Sequence, residues 1–256
     1  MSHTPIDCVL PKVFEPPKQA DYIRLGKSGD GGYIIDRQSI AASEKLLSFG
    51  INYDWSFESD FLRQKSMPLA AFDHSIGKMA FLRKFLIHST FDFSPPLAYR
   101  HLSALVRYGR FFSEKRVHLP LHVGYSSIDR MVDFSQALTL ASCESTPFFL
   151  KVDTEEWEYG ILEDLIKHSG LMQGLVIEFH RLDLHLNRVM DFIERFPLDL
   201  VYTHANNYGH VLSDGTPLLI ECTFSAFGID RMGPFTPLSI DMQNSRKLPP
   251  YALRFA

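Results

Sequence analysis

Between Phe148 and Leu162 the chain reads Phe-Phe-Leu-Lys-Val-Asp-Thr-Glu-Glu-Trp-Glu-Tyr-Gly-Ile-Leu, an apolar run that stops at an acidic cluster and restarts with helical spacing. Such a run predicts a buried strand that delivers Asp153 to its own carboxyl end, where ligands sit in open α/β sheets. From Leu46 onward the same alternation of apolar strand and amphipathic helix recurs, which argues for βα units and a mostly parallel sheet. Strands are expected at 46–49, 69–73, 117–123, 148–153, 174–179 and 199–204. The clearest helices are Trp55 to Gln64 and Glu156 to Lys167. In the second, Trp157, Ile161, Leu162 and Leu165 share a face and Gly170 offers a C-terminal stop.

The closing section has a different pattern. Tyr208 to Leu212, then Ser213-Asp214-Gly215-Thr216, then Pro217 to Phe224 predicts a hairpin with an Asp-Gly turn, adding a seventh strand antiparallel to its neighbour. Six parallel strands ending in a reversed hairpin is the class I methyltransferase-like (Rossmann-like) arrangement, and a dinucleotide-binding sheet normally lacks the reversed strand. One domain over 1–256 is expected. Within it, residues 1–44 form an irregular arm, held open by Pro11, Pro16 and Pro17, and a small hairpin of Tyr22-Ile23-Arg24-Leu25 and Tyr33-Ile34-Ile35. Residues 76–115 are too long for one crossover and predict two helices, Lys78 to His88 and Leu97 to Tyr108. These either cover the sheet edge, make a dimer contact or shape the substrate pocket as a cap.

The chain has 256 residues, is 45% hydrophobic and 22% charged, and has a net charge of -4, so no global field draws it to nucleic acid or an anionic membrane, although a local patch still could. Cys8, Cys143 and Cys222 are widely separated and lack CxxC spacing, which argues against a disulfide framework or a thiolate zinc site and fits a reducing compartment. No run approaches the ~18 apolar residues that suggest a membrane span, and Met1 to Pro11 lacks a signal-like pattern. A soluble, cytoplasmic protein is expected.

A nucleotide-like cofactor in such a sheet lies over the end of the first strand, where a glycine lets the backbone approach and the next helix offers free N–H groups. Gly50 satisfies that position, and Asn52 follows it in the same loop. The stretch Phe49-Gly50-Ile51-Asn52-Tyr53-Asp54 holds one glycine instead of the three of GxGxxG, which counts against NAD and FAD. Asp73, 23 residues after Gly50, stands where a carboxylate can accept hydrogen bonds from ribose hydroxyls; a turn glycine and a capping aspartate is the competing reading. Asp30 and Gly31 either contact the cofactor or close a tight hairpin turn.

Several separate pieces carry a family resemblance: Arg24-Leu25-Gly26 with Asp30-Gly31-Gly32-Tyr33, Ser48-Phe49-Gly50 with Asp54-Trp55-Ser56-Phe57-Glu58, Phe72-Asp73, Lys151-Val152-Asp153 with Glu155 and Glu158, and Pro237-Leu238 with Asp241 and Asn244. Across about Arg24 to Asn244 the chain resembles the FkbM-like family of S-adenosylmethionine-dependent methyltransferases. The resemblance implies an S-adenosylmethionine-binding fold, O-methylation of a sugar, glycan precursor or related natural product, and a cleft lined by Gly50, Asp73 and Asp153. One position departs from the family's Asp-x-Glu-Gly-x-Glu run: Glu156 follows Glu155 where the family has glycine.

O-methyl transfer to a hydroxyl needs an in-line nucleophile and a group that removes its proton. Candidates stand at successive strand ends: Asp153, then Glu178 and His180, which share a strand face by period two, then His204. A histidine with an ordinary pKa of about 6.5 suits an alcohol near neutrality, so His180 is the leading base and His204 the second; each could instead tie a loop to backbone carbonyls. The same residue types could hold a divalent metal. A metal is not favoured, because a seventh strand inserted between the fifth and sixth would put His204 roughly 10 Å from His180. A non-catalytic carbohydrate-binding or scaffold protein is the alternative function, and an NAD-dependent oxidoreductase a third. The expected partners are a small-molecule or glycan acceptor, with no nucleic acid, no membrane span and homo-oligomerisation left open.

Overall fold

The computed structural model describes residues 4–91, 93–125 and 130–256. Its centre is a seven-stranded sheet whose strands we number along the chain: β1 Lys45–Phe49, β2 Leu69–Phe72, β3 Arg116–Leu119, β4 Phe148–Val152, β5 Met172–Phe179, β6 Asp199–Ala205 and β7 Ile220–Ser225. The spatial order is β3-β2-β1-β4-β5-β7-β6. All neighbours are parallel except β7, which runs antiparallel to both β5 and β6. This is the class I methyltransferase-like, Rossmann-like α/β sheet that the strand pattern predicts. Strand order reverses between β1 and β4, which opens the crevice in which such sheets take ligands.

The strands are apolar on both faces because both faces are covered. All five residues of β4 are buried, including Lys151. One cluster, with Leu47, Phe49, Leu150, Ile177 and Phe179, packs against α5 Phe134–Leu140, α6 Leu162–Lys167 and α7 Leu182–Arg195. The other, with Leu46, Phe61, Leu69, Ala71 and Phe149, packs against α1 Arg37–Ala42, α2 Ser56–Gln64, α3 Lys78–Thr90 and α4 Pro95–Phe111. The two helices of the 76–115 insertion form an antiparallel pair that buries Phe81, Ala104, Tyr108 and Phe111 against Trp55. No helix among the described residues is long and apolar enough to cross a membrane.

Several local expectations are corrected. The arm is not irregular throughout: Ile6–Leu10 pairs in parallel with Tyr251–Phe255, so the two ends of the chain hold each other. The strand expected over 117–123 stops at Leu119, because Pro120 has no N–H to extend the ladder, and His122–Val123 instead pairs with Met131–Val132. Tyr208 to Leu212 forms no strand. Only an isolated bridge, Val211 to Pro217, survives there, and β7 pairs with β6 itself. The helix expected from Glu156 begins as a 3-10 turn, Trp157–Ile161, because Glu155 and Glu156 both have positive φ. The hairpin of Tyr22–Gly26 with Gly32–Asp36 is formed as expected.

Candidate active site

The loops leaving β1, β2, β4 and β5, together with the turn of the Tyr22–Asp36 hairpin, enclose a cleft of about 730 Å³ at the carboxyl edge of the sheet. Asp30, Gly31, Gly50, Asn52, Asp73, Asp153, Glu178 and His180 all line it. His204 does not. The parallel register explains the convergence: Val152 is level with Phe49 on one side and Ile177 on the other, so Gly50, Asp153 and Glu178 emerge together.

Gly50 has φ +74°, and a Cβ built there would lie 1.7 Å from the carbonyl oxygen of Asp153. Glycine is required by the crossing of two loops, and Lys151 secures the crossing by donating to the Gly50 carbonyl. Asp73 holds the same turn. Its Oδ2 accepts from the backbone N–H groups of Ile51 at 3.0 Å and Asn52 at 2.7 Å, while its Oδ1 accepts from the Ser75 N–H and hydroxyl at 2.7 and 2.6 Å. A carboxylate offers about four lone-pair sites, and these four donors fill them. Burial favours the neutral acid, but the Ser75 and backbone bonds prevail and hold the pKa below its ordinary value. Asp73 therefore shapes the Gly50 to Asn52 turn from beneath. Asp30 and Gly31 form the hairpin turn at the rim, where Gly31 has φ +77° and its Cβ would approach Asp54 Oδ2 to 2.8 Å.

The polar centre is a set of ionisable groups from three elements. Asp153 Oδ2 accepts from the Tyr33 hydroxyl at 2.9 Å and from Lys151 Nζ at 3.2 Å. Burial opposes its charge, but Lys151, His180 and the Tyr33 hydrogen bond keep its pKa low. Glu178 takes the opposite course: burial, then the charges of Asp153, Glu221 and Asp30, drive its pKa well above the carboxylate range, although Asn206 donates to its Oε1 at 3.0 Å. Two neighbouring carboxyls are thus pushed in opposite directions, Asp153 toward the ionised form and Glu178 toward the protonated one, the kind of separation on which acid and base roles can be built.

His180 stands between them. Its Nδ1 lies 3.0 Å from Oε1 of the fully buried Glu158, which also accepts the His180 backbone N–H at 2.8 Å. With an acceptor at Nδ1, that nitrogen carries hydrogen and Nε2 is the group presented to the cleft. Nε2 lies 3.9 Å from both Asp153 and Glu178 and 3.6 Å from Glu155. Burial depresses the imidazole pKa, but the Glu158 hydrogen bond and charge, with Asp153 and Glu155, outweigh it and raise the pKa above 6.5.

His204 belongs to a separate network. It is level with Glu221 on β7, which is level in turn with Glu178 on β5, so two strand steps intervene. Its Nδ1 lies 3.0 Å from Asp241 Oδ2 and its Nε2 2.8 Å from Asn244 Oδ1. Both partners are acceptors, since Asn244 uses its amide nitrogen on Glu221 at 2.8 Å, so the ring carries two hydrogens. Burial works against that charge, yet Glu221 and Asp241 push the pKa up to about 9. With both nitrogens engaged, His204 clamps the Asp241 to Asn244 segment onto β6.

Tyr33, Lys151, Glu158 and Asn206 were not singled out from sequence for these contacts. Lys151 had a visible signal, a lone cation within a five-residue apolar run. Tyr33 had none, because its partner Asp153 is 120 residues away. Asp153, Glu178 and His180 can also bring three ligand atoms within 4.8 Å of one another.

A scan of protein-family models finds no match to this chain, and a search of curated proteins also finds none. Among solved structures it is similar to a precorrin-6y C5,15-methyltransferase from Geobacter metallireducens, at 10% identity and TM-score 0.37, covering 74% of this chain and 87% of that one. It is also similar to a fibrillarin pre-rRNA processing protein from Methanococcus jannaschii, at 12% identity and TM-score 0.38, covering 78% and 81%. A precorrin 8w decarboxylase from Methanobacterium thermoautotrophicum matches at 9% identity and TM-score 0.35, covering 72% and 82%. Likenesses this distant carry no argument about the activity of this chain.

Proposed function

We propose that this chain is an S-adenosylmethionine-dependent O-methyltransferase of the FkbM-like kind, acting on a hydroxyl of a sugar, glycan precursor or related natural product. The observation that carries the reading is the acid-lined cleft at the carboxyl edge of a β3-β2-β1-β4-β5-β7-β6 sheet. Seven acidic side chains line it, Asp30, Asp54, Glu58, Asp73, Asp153, Glu155 and Glu178, the last of them pushed toward its neutral form, against three lysines and arginines. That field favours a cofactor bearing a sulfonium and an ammonium and repels the pyrophosphate of a dinucleotide. When bound, S-adenosylmethionine supplies a methyl group on a good leaving group.

The chain supplies position and proton removal. His180 Nε2 accepts the acceptor hydroxyl's proton, and Glu158, fixed behind it at 3.0 Å, orients the ring and stabilises the imidazolium. Protonated Glu178 donates to an acceptor oxygen, and ionised Asp153 adds negative charge beside the imidazolium. Trp157 and Tyr208 line the same cleft with exposed aromatic rings that can meet the C–H side of a sugar ring, while the Tyr53 ring is taken by Lys84 and Arg100. No step needs a metal: the Lys151 ammonium, 3.2 Å from Asp153, already places a cation among the acids.

Calorimetric titration tests the reading. S-adenosylmethionine or S-adenosylhomocysteine should bind with micromolar affinity; binding of neither favours a non-catalytic carbohydrate-binding or scaffold role. His180→Ala should keep the cofactor affinity while lowering turnover on an identified hydroxyl acceptor by roughly a hundred- to ten-thousandfold. Near-normal turnover by the folded variant removes His180 from the base role.

A further inference from the structure

The antiparallel pair α3–α4 carries an outer surface that the cleft does not use. Of the 22 large hydrophobic side chains exposed among the described residues, nine lie between Met79 and Val106. They are ordered, not scattered. On α3, Met79, Leu82 and Leu86 follow at steps of three and four, opposite the face that buries Phe81. On α4, Tyr99, Leu102 and Val106 repeat the spacing, opposite the face that buries Ala104 and Tyr108. At the bend between the helices Phe91 and Phe93 stand 79% and 78% exposed. Exposed apolar stripes on two paired helices, with two exposed phenylalanines at the turn between them, have the features of an interaction site.

The charge on the same segment chooses the partner. Between His74 and Ser113 the sequence places Lys78, Arg83, Lys84, Arg100, Arg107 and Arg110 against the single carboxylate of Asp92, in a chain whose net charge is -4. Lys78, Arg83 and Arg110 are exposed and lie over no ring among the described residues, whereas Lys84 and Arg100 lie over the Tyr53 ring and Arg107 over Trp55, on the side of the pair that faces the cleft and core. A second copy would press one basic face on another, which like-charge repulsion opposes. A nucleic acid would use the arginines but find no use for the stripes of Met, Leu and Val. An anionic bilayer uses both, since its headgroups take the cations while the interface takes aliphatic and aromatic side chains.

We propose that the outer face of α3–α4, tipped by Phe91 and Phe93, docks the protein peripherally on an anionic lipid surface. The inference does not rest on the catalytic reading. Docking on this face sets the cleft beside the membrane, because Arg100 of α4 also lines the cleft.

Co-sedimentation of the full chain with vesicles tests it. Phosphatidylcholine vesicles containing phosphatidylglycerol should bind the protein at least tenfold more strongly than phosphatidylcholine alone, and raised salt should weaken the binding. Phe91→Ser with Phe93→Ser, and separately Arg83→Glu with Arg110→Glu, should each lower the partition at least tenfold with the melting temperature unchanged. Equal partition into both vesicles, no partition, or variants that bind like wild type would overturn the proposal. So would sedimentation velocity showing a dimer that the phenylalanine variants dissolve, which would make a second copy the occupant, or RNA retention lost in the arginine variants without vesicle binding.

Discussion

The Nδ1 of His180 lies 3.0 Å from a carboxylate oxygen of Glu158 that has no exposure to solvent, and the same oxygen accepts the His180 backbone N–H. The histidine is thereby fixed in position, tautomer and basicity at once. Its raised pKa means the ring is protonated over more of the acidic range, so a base function fails as pH falls through a value above the ordinary 6.5. The acid limb of kcat/KM should therefore sit above 6.5. Glu158→Gln removes the charge while keeping a hydrogen-bonding side chain, and should move that limb, and the His180 NMR titration, toward lower pH. An unmoved titration would show that Glu158 does not set the His180 pKa.

Metal chelation separates two uses of the same three residues. If His180 removes the proton as proposed, with a buried ammonium beside Asp153, EDTA should leave turnover unchanged. Strong inhibition reversed by a divalent cation would recast Asp153, Glu178 and His180 as ligands.

Asp73 was expected to meet ribose hydroxyls directly, yet its oxygens are filled by Ile51, Asn52 and Ser75. Its loss should act first on the fold. Asp73→Ala strands buried N–H donors and should destabilise the protein by about 3 kcal/mol in urea unfolding. Any loss of cofactor affinity should accompany that loosening. A variant of wild-type stability with affinity reduced ten- to a hundredfold would restore the direct ribose role.

How much of this was legible in sequence depends on the range of the interaction. The sheet was readable because Leu46-Leu47, Phe148 to Val152 and Val176-Ile177 are apolar runs at βα spacing, and the reversed final strand followed from the turn chemistry near Asp214-Gly215. The 208–212 strand failed because that turn closes only one bridge, Val211 to Pro217, before the chain continues to Ile220. The cleft residues Asp153, Glu178 and His180 were legible as strand ends. What those ends do was not, since Tyr33 to Asp153 and Glu158 to His180 are contacts made by folding and no spacing rule encodes them. His204 looks equivalent to His180 in sequence; β7 stands between their strands, and Asp241 and Asn244 engage both His204 nitrogens, while Asn206 at the end of the same strand reaches Glu178.

The His204 clamp makes stability depend on pH with a definite sign. Its folded pKa, about 9, exceeds the ordinary 6.5, so the native state holds a proton that the unfolded state releases between those values. The clamp's contribution is complete below about 6.5 and is lost as pH rises through about 9. Urea unfolding should show stability declining across that window. His204→Gln should flatten the decline, and an identical slope in both proteins would exclude His204 as its source.

Glu156 stands where the FkbM-like run that this stretch resembles has glycine, and it tests whether that difference is one of backbone or only of side chain. Its φ is +78°, within the left-handed region that glycine enters without penalty, and its side chain is exposed. The backbone of the loop is therefore the one a glycine would adopt, held here by a residue that pays for it. A non-glycine residue in that conformation costs roughly 1–2 kcal/mol, while glycine loses roughly 0.5–1 kcal/mol more chain entropy on folding. Glu156→Gly should accordingly stabilise the protein by about 0.5 kcal/mol and leave His180 and Asp153 in place, with cofactor affinity unchanged. A clear loss of stability would mean that the Glu156 side chain contributes an interaction large enough to offset the strain, and that the loop depends on it.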